Sequence, residues 1–134
     1  DFYGKFAGLL KKYKFVVAQD QDYLNVLCHG RVKYLPDEWN AMPVGDATQK
    51  LKHPKIIHYN LTAKPWHYST VTYSPYFWAA AKNTEFYDFL QETLKNYSEE
   101  EKLRDKECEA GLLALCEKEI AREDNYFNVY VKNK

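Results

Sequence analysis

The sequence predicts a helix-rich α/β chain, and three kinds of observation support that fold class. Apolar residues recur at helical spacing in five stretches, two short apolar or alternating runs lie beside prolines, and capping residues mark helix starts. The 134 residues suit one domain or part of a larger one. Helices are predicted near residues 2–14, 22–29, 75–82, 85–96 and 99–122, and strands near 32–35 and 55–59.

The first two helices are predicted from one apolar face and one set of caps. Asp20 suits an N-cap, Asp22 lies in the first turn that follows, and Gly30 suits the end of that helix. The earlier helix, over residues 2–14, has its apolar face formed by Phe2, Phe6, Leu9, Leu10 and Tyr13.

The two strands are predicted from alternation and from prolines. Residues 31–36 alternate in period two and stop at Pro36, which cannot donate to a strand ladder. Residues 55–59 contain an apolar pair shortly after Pro54, which predicts a short buried strand. Residues 37–52 show no periodicity and are predicted to form a loop.

The last helices are predicted from their starts. Ser74 and Pro75 form an N-cap and first-turn pair, and Ser98 with Glu101 forms a capping box. The helix over 99–122 has a wide apolar stripe, so it is expected to pack on two sides or to meet a partner such as a second copy of the chain. The stripe contains Leu103, Ala110, Leu113, Ala114 and Ile120.

The composition excludes some classes of function. Lys plus Arg equals Asp plus Glu at 19 each, so no net field attracts nucleic acid or an anionic membrane. No signal peptide or transmembrane stretch is predicted. The three cysteines form no metal or disulfide pattern and favour a reducing compartment; they are Cys28, Cys108 and Cys116.

A histidine followed by a lysine carries the most chemistry in the chain. His58 stands where the second predicted strand ends, and Lys64 follows in a segment shaped by Pro65 and Trp66. A neutral imidazole can ligate a divalent cation, and an ammonium group pairs with phosphate oxygens. The alternative is a structural histidine followed by a turn with a buried aromatic anchor.

Five motifs follow one another along the chain: Asp20-Gln21-Asp22-Tyr23-Leu24-Asn25, Val32-Lys33-Tyr34-Leu35-Pro36, Trp39-Asn40-Ala41-Met42, Ile57-His58-Tyr59 and Lys64-Pro65-Trp66-His67-Tyr68. In this order they resemble glycosyltransferase family 8, which contains glycogenin and the bacterial galactosyltransferases of lipopolysaccharide synthesis. The resemblance covers roughly residues 1–95.

The resemblance implies the C-terminal part of a GT-A type nucleotide-sugar transferase fold. The family's metal-binding Asp-x-Asp lies in an N-terminal nucleotide-binding half that has no counterpart in these residues. Asp20 and Asp22 match that pattern only in shape, since the family places its own pair well upstream. The resemblance therefore implies glycosyltransferase sequence over 1–97, a helical extension over 98–134, and an isolated chain that is inactive.

The resemblance also implies a reaction and its residues. The family transfers a hexose from a UDP-sugar to an acceptor hydroxyl with retention, using Mn²⁺ or Mg²⁺. His58 would ligate the metal, Lys64 would bind the leaving phosphate, and Asn60 and Leu61 would lie in the loop whose backbone N–H groups face the diphosphate. Asp20 would bind sugar hydroxyls, and Gln21 would lie near the anomeric carbon.

One residue departs from the family pattern, and one alternative stays open. Leu61 stands where many members have Gly, which permits backbone geometries that Leu does not. The implied partners are a UDP-sugar and a glycan or lipid-linked acceptor, in the cytoplasm or at the inner face of the membrane. The alternative is a non-catalytic helical interaction module or an inactive fragment, in which His58 is a core histidine.

Overall fold

The structure is a computed structural model that describes residues 1–12, 17–18, 20–43, 51–125 and 128–129. The described residues contain five α-helices and one 3₁₀ turn, Asp37–Asn40. Two compact units are present, one formed by Asp1–Lys33 with Ala110–Lys134 and the other by Tyr34–Glu109. The helices are α1 (Phe2–Lys12), α2 (Asp20–Leu27), α3 (Ser74–Ala81), α4 (Tyr87–Asn96) and α5 (Glu99–Ala121).

The five predicted helices are confirmed to within two residues of their predicted bounds, and residues 13 and 14 of the first lie outside the described residues. In the first unit, α1 packs against α2, where the rings of Phe6 and Tyr23 lie 5.8 Å apart and Tyr23 is buried. Gly30 follows α2 with a φ of 72°, a left-handed conformation that suits glycine. The predicted boundary between 97 and 98 stays a prediction.

Two predicted N-caps are wrong by a small shift. Asp20 is already the first residue of α2, and the Asp22 carboxylate instead accepts hydrogen bonds from the backbone N–H groups of Val17 (3.1 Å) and Ala18 (3.0 Å). The N-cap of α3 is Tyr73, one residue before Ser74. A carboxylate in a first turn can reach back to N–H groups outside the helix, so composition alone does not fix the capping position.

The predicted strand near 32–35 is wrong. Residues 31–36 lack regular secondary structure, and no other described segment pairs with them. Tyr34 is 88% exposed, Leu35 is more than half exposed, and Val32 is half exposed. Alternation predicts a strand only where a neighbouring strand takes up its hydrogen bonds, and the described residues provide none.

The predicted strand near 55–59 is reduced to one parallel bridge. Ala41 pairs with Ile57 in that bridge, through Ala41 N–H donating to the Ile56 carbonyl (2.9 Å) and His58 N–H donating to the Ala41 carbonyl (2.9 Å). Before the bridge, the N–H groups of Lys55 and Ile56 both donate to the Glu38 carbonyl in the 3₁₀ turn (2.7 and 3.1 Å), so they extend no strand ladder. The bridge nevertheless fixes the backbone of His58 beside the 3₁₀ turn.

The start of α5 is as predicted, and its apolar stripe is not buried. Ser98 and Glu101 form the capping box, with Ser98 N–H donating to the Glu101 carboxylate (2.8 Å) and Glu101 N–H donating to the Ser98 hydroxyl (3.2 Å). Ile120 is 75% exposed, and Leu103 and Leu113 are more than half exposed. Packing on two sides is therefore wrong for these residues, while association through 99–122 stays a prediction.

In the described part of the chain, no helix is long and apolar enough to span a bilayer.

Candidate functional site

His58 is held by the bridge and by one side-chain hydrogen bond. Its Nδ1 lies 3.1 Å from the Oδ1 of Asn40, the last residue of the 3₁₀ turn, and His58 is exposed to solvent. An amide oxygen only accepts hydrogen bonds, so Nδ1 carries the proton and donates it. This hydrogen bond favours the tautomer in which Nε2 keeps its lone pair free for a ligand.

The His58 arrangement fits a metal ligand, but a single one. Histidines that ligate metals commonly donate their other ring N–H to an oxygen, as His58 does to Asn40. Among the described residues, no group of three or more His, Cys, Asp or Glu side chains could hold a metal ion. The described residues therefore offer one well-oriented nitrogen, and any complete coordination shell needs further ligands.

The segment from His58 to Lys64, here called the Lys64 loop, folds back on itself. The Lys64 ammonium donates a hydrogen bond to the carbonyl of Tyr59 and lies 5.9 Å from the ring centre of Trp66. Tight turns close at both ends, where Asn60 N–H donates to the His58 carbonyl (2.9 Å) and Lys64 N–H donates to the Thr62 carbonyl (2.6 Å). The loop therefore brings an imidazole and an ammonium group into one short segment.

Asn60 carries an unpaired acceptor inside this loop. Its Oδ1 atom is buried and has no hydrogen-bond partner among the described residues. A buried polar atom without a partner costs about 1–3 kcal/mol, so most such atoms are paired in folded proteins. The position is consistent with the predicted donor-binding role of Asn60, because this oxygen can still accept a hydrogen bond.

Leu61 adopts the backbone conformation that glycine favours. Its φ is 46°, in the left-handed region where the Cβ of an L-residue crowds the backbone. Leu61 occupies the position at which the sequence departs from the family pattern, and the backbone there has the conformation that a glycine would adopt. Leu61 therefore forms a left-handed turn in spite of the strain that its Cβ atom causes.

Replacing Leu61 with glycine should stabilise the protein relative to Leu61→Ala by about 1 kcal/mol, because only glycine removes the Cβ strain. Leu61 is 54% exposed, so either variant loses little burial. The measurement is urea unfolding of the two variants. At ordinary positions Gly is less stable than Ala by roughly 0.5–1 kcal/mol. A Gly variant less stable than the Ala variant would contradict the strain at Leu61.

A cluster of aromatic side chains packs against the Lys64 loop and the two residues after it. Pro65 is fully buried, and the ring of Trp66 lies 5.0 Å from that of Phe77 in α3. The ring of Tyr59 meets Phe77 edge-on at 5.9 Å, and the Tyr59 hydroxyl donates to the Tyr73 carbonyl (2.6 Å). Burial raises the pKa of Tyr59. These contacts explain why the loop has one defined shape although it lacks regular secondary structure.

A second set of contacts joins the residues just after the loop to Tyr97 and to Asp105 in α5. The hydroxyls of Tyr68 and Tyr97 both donate to Asp105 Oδ2, each at 2.7 Å. The rings of His67 and Tyr97 stack at 4.0 Å with an interplanar angle of 6°. Burial and the hydrogen bond to Asp105 raise the pKa of Tyr97 to about 12 and also raise that of Tyr68.

Stability should fall in mild acid because of His67. Burial lowers the pKa of His67 below 6.5, against the opposing carboxylates of Asp105 and Glu101 and with added repulsion from Lys64. A lowered histidine pKa means that the folded state favours the neutral ring, so this stabilisation is present above pH 6.5 and is lost as the pH falls through the lowered pKa.

The measurement is urea unfolding of wild type and His67→Phe between pH 7 and about pH 5. The phenylalanine ring keeps the stack on Tyr97 and does not titrate, so the variant should lose less stability on acidification. His53→Gln, at an exposed histidine, is the matched control and should behave as wild type does. Equal acid losses in wild type and His67→Phe would refute this assignment.

Asp20 and Gln21 lie at the start of α2, and both are exposed. They belong to the unit formed by Asp1–Lys33 with Ala110–Lys134, whereas His58 and Lys64 belong to Tyr34–Glu109. Their predicted roles toward the donor sugar, and their predicted proximity to His58, stay predictions.

Two residues of the site were missed by sequence reasoning. Asn40 lies in a motif that resembles the family, but its hydrogen bond to His58 depends on the bridge at Ala41. Asp105 lies 37 positions after Tyr68 along the chain. An acidic residue on a helix with many charges gives no sequence signal for a contact at that separation.

The sequence model of glycosyl transferase family 8 matches residues 2–70, just over half of the chain. The chain belongs to glycosyl transferase family 8, a family of glycosyltransferases. The matched region includes Asp20, Gln21 and the whole Lys64 loop. No curated protein and no solved structure is significantly similar to the chain. The predicted family is confirmed, while the GT-A fold and the glycogenin-like or lipopolysaccharide subtype stay predictions.

Proposed function

We propose that this chain carries the diphosphate-binding loop of a retaining glycosyltransferase that transfers a hexose from a UDP-sugar to an acceptor hydroxyl. The acceptor would be a cell-surface glycan or a lipid-linked glycan of the lipopolysaccharide type, met in the cytoplasm or at the inner face of the membrane. The observation that carries the proposal is the Lys64 loop of a family 8 member, which joins an oriented imidazole to an ammonium group within seven residues.

The charge of the leaving group explains why this loop suits the reaction. Negative charge grows on the nucleoside diphosphate as the glycosidic bond breaks, so a cation placed at that point lowers the barrier. Lys64 supplies such a cation, and its hydrogen bond to the Tyr59 carbonyl can be exchanged for one to a phosphate oxygen. Leu61 has a left-handed φ of 46°, a conformation that also occurs in the backbone nests that bind anions.

Mn²⁺ or Mg²⁺, when bound, would stabilise the diphosphate charge as a Lewis acid. His58 would hold the ion through Nε2, with Asn40 fixing the ring. Asp20 would bind hydroxyls of the donor sugar, and Gln21 would lie near its anomeric carbon, as the family resemblance implies. The unpaired Oδ1 of Asn60 would accept a hydrogen bond from the donor.

A non-catalytic role is the second candidate, because the described residues offer one metal ligand and an exposed apolar stripe on α5. The test is transfer and hydrolysis of UDP-hexoses and GDP-hexoses by the intact protein in the presence of Mn²⁺. The proposal predicts release of UDP, and a transfer product that keeps the anomeric configuration of the donor. Absence of release from every nucleotide sugar, with Mn²⁺ present, would favour the non-catalytic role.

A further inference from the structure

Two acidic residues on one face of α5 contact the Lys64 loop and the segment just after it. Both lie outside the region that the family model matches. Asp105 and Glu109 are four residues apart, so they lie on the same face of the helix. Both belong to the unit Tyr34–Glu109, together with the loop. The family match ends at residue 70, so these two acidic residues are not part of it.

Asp105 connects α5 to Tyr68, which lies two residues after the Lys64-Pro65-Trp66 segment. Its Oδ2 accepts hydrogen bonds from the hydroxyls of Tyr68 and Tyr97 at 2.7 Å each. The backbone N–H of Tyr68 in turn donates to the carbonyl of Lys64 (3.0 Å). One carboxylate oxygen is therefore joined to the backbone of Lys64 through a single tyrosine.

The other side of Lys64 is tied to the same helix. The Thr62 hydroxyl donates to the Glu109 carboxylate, and the Thr62 carbonyl accepts a hydrogen bond from the N–H of Lys64 (2.6 Å). Lys64 is thus hydrogen-bonded to one residue before it, Thr62, and to one after it, Tyr68. Both of these residues contact α5. Of the two acidic partners, Asp105 makes the better-defined contact, because two hydroxyls converge on it beside the stacked rings of His67 and Tyr97.

We propose that Asp105 is a positioning residue, which holds the Lys64 loop in the shape that receives the donor diphosphate. This inference rests on the proposed function. A carboxylate suits this role because both tyrosines are donors, and charge-assisted hydrogen bonds to it are stronger than those to a neutral group. A misplacement of about 1 Å at a charged contact can lower the rate of a reaction about a hundredfold, so a distant residue can affect the donor without touching it.

The first measurement is the dissociation constant of UDP with Mn²⁺, by calorimetry on the intact protein. Asp105→Ala should weaken binding about tenfold, a loss typical of residues that orient a ligand-binding group. Asp105→Asn keeps an oxygen acceptor and should restore binding to within a few-fold of wild type. Glu107→Ala, at an exposed acidic residue on the same helix, is the matched control and should bind as wild type does.

The second measurement follows the loop itself. With 5-fluorotryptophan incorporated, the protein gives a ¹⁹F signal for Trp66, assigned with Trp66→Phe, which reports the shape of the Lys-Pro-Trp segment. Asp105→Ala and Tyr68→Phe should both shift that signal, whereas Glu107→Ala should not. Tyr68→Phe removes one hydroxyl and keeps the ring, so it tests the same hydrogen bond between Tyr68 and Asp105 if Asp105→Ala does not fold.

The outcomes separate this inference from the proposed function. Lys64→Ala with the UDP affinity of wild type would refute the proposed role of the loop, and the positioning role of Asp105 would fall with it. If Lys64→Ala loses affinity while Asp105→Ala and Tyr68→Phe keep it, only the positioning role is overturned. Equal weakening by Asp105→Ala and Glu107→Ala would also overturn it, because a general effect of charge would then suffice.

Discussion

His58→Ala should lower the turnover of the intact glycosyltransferase by about a hundredfold or more, because a metal that stabilises charge on a leaving group contributes several kcal/mol. His58 is exposed, and among the described residues its ring hydrogen-bonds Asn40. Removing the ring therefore takes away the proposed metal ligand and little packing. The measurement is the rate of UDP release at saturating donor, with far-UV circular dichroism to show that the fold is kept.

Two further variants sharpen this prediction. His53→Ala removes another exposed histidine of the same unit and should leave turnover unchanged. Asn40→Ala leaves His58 in place without its orienting partner and should lower turnover about tenfold, as residues behind a metal ligand commonly do. Turnover in His58→Ala equal to that of wild type would make His58 a structural histidine.

Lys64→Ala should lower kcat/KM by about a hundredfold, because one lost donor to a developing charge commonly costs that much. In the proposed role, the ammonium group pairs with the diphosphate in both the bound donor and the departing UDP, so KM should rise and kcat should fall together. Lys64→Arg should recover only part of this loss, since the planar guanidinium differs in shape and reach from an ammonium.

Steady-state kinetics with a varied UDP-sugar concentration measure both constants. Lys55→Ala, at an exposed lysine of the same unit, should keep wild-type values and controls for a general loss of positive charge. A Lys64→Ala enzyme with wild-type kcat and a raised KM would show that Lys64 binds the donor without helping the leaving group depart.

Features that depend on neighbouring residues were predicted well from the sequence. All five helices were found, because their apolar spacing acts over a few residues, although the predicted N-caps at Asp20 and Ser74 were wrong. The capping box of Ser98 and Glu101 formed as predicted for the same reason. The family was recognised because its motifs near Asp20 and His58 occur in the expected order, and the match over residues 2–70 confirms it.

Features that depend on distant residues were not predicted. The segment 31–36 has the alternation of a strand, but pairing requires a partner that the described residues do not supply. The hydrogen bonds of Asn40 to His58 and of Tyr68 to Asp105 join positions 18 and 37 apart. The left-handed turn at Leu61 was indicated only indirectly, by the glycine that many family members have there.

The most direct test of the proposed site is a titration of UDP-sugar turnover with Mn²⁺, for wild type and His58→Ala of the intact protein. Wild type should show saturable activation by Mn²⁺. The variant should need at least about tenfold more Mn²⁺ for half-activation and should reach a lower maximum, because it lacks the ligand that the proposal assigns to His58. Identical Mn²⁺ dependence and identical maximal rates in the two proteins would contradict the assignment of His58 as a metal ligand.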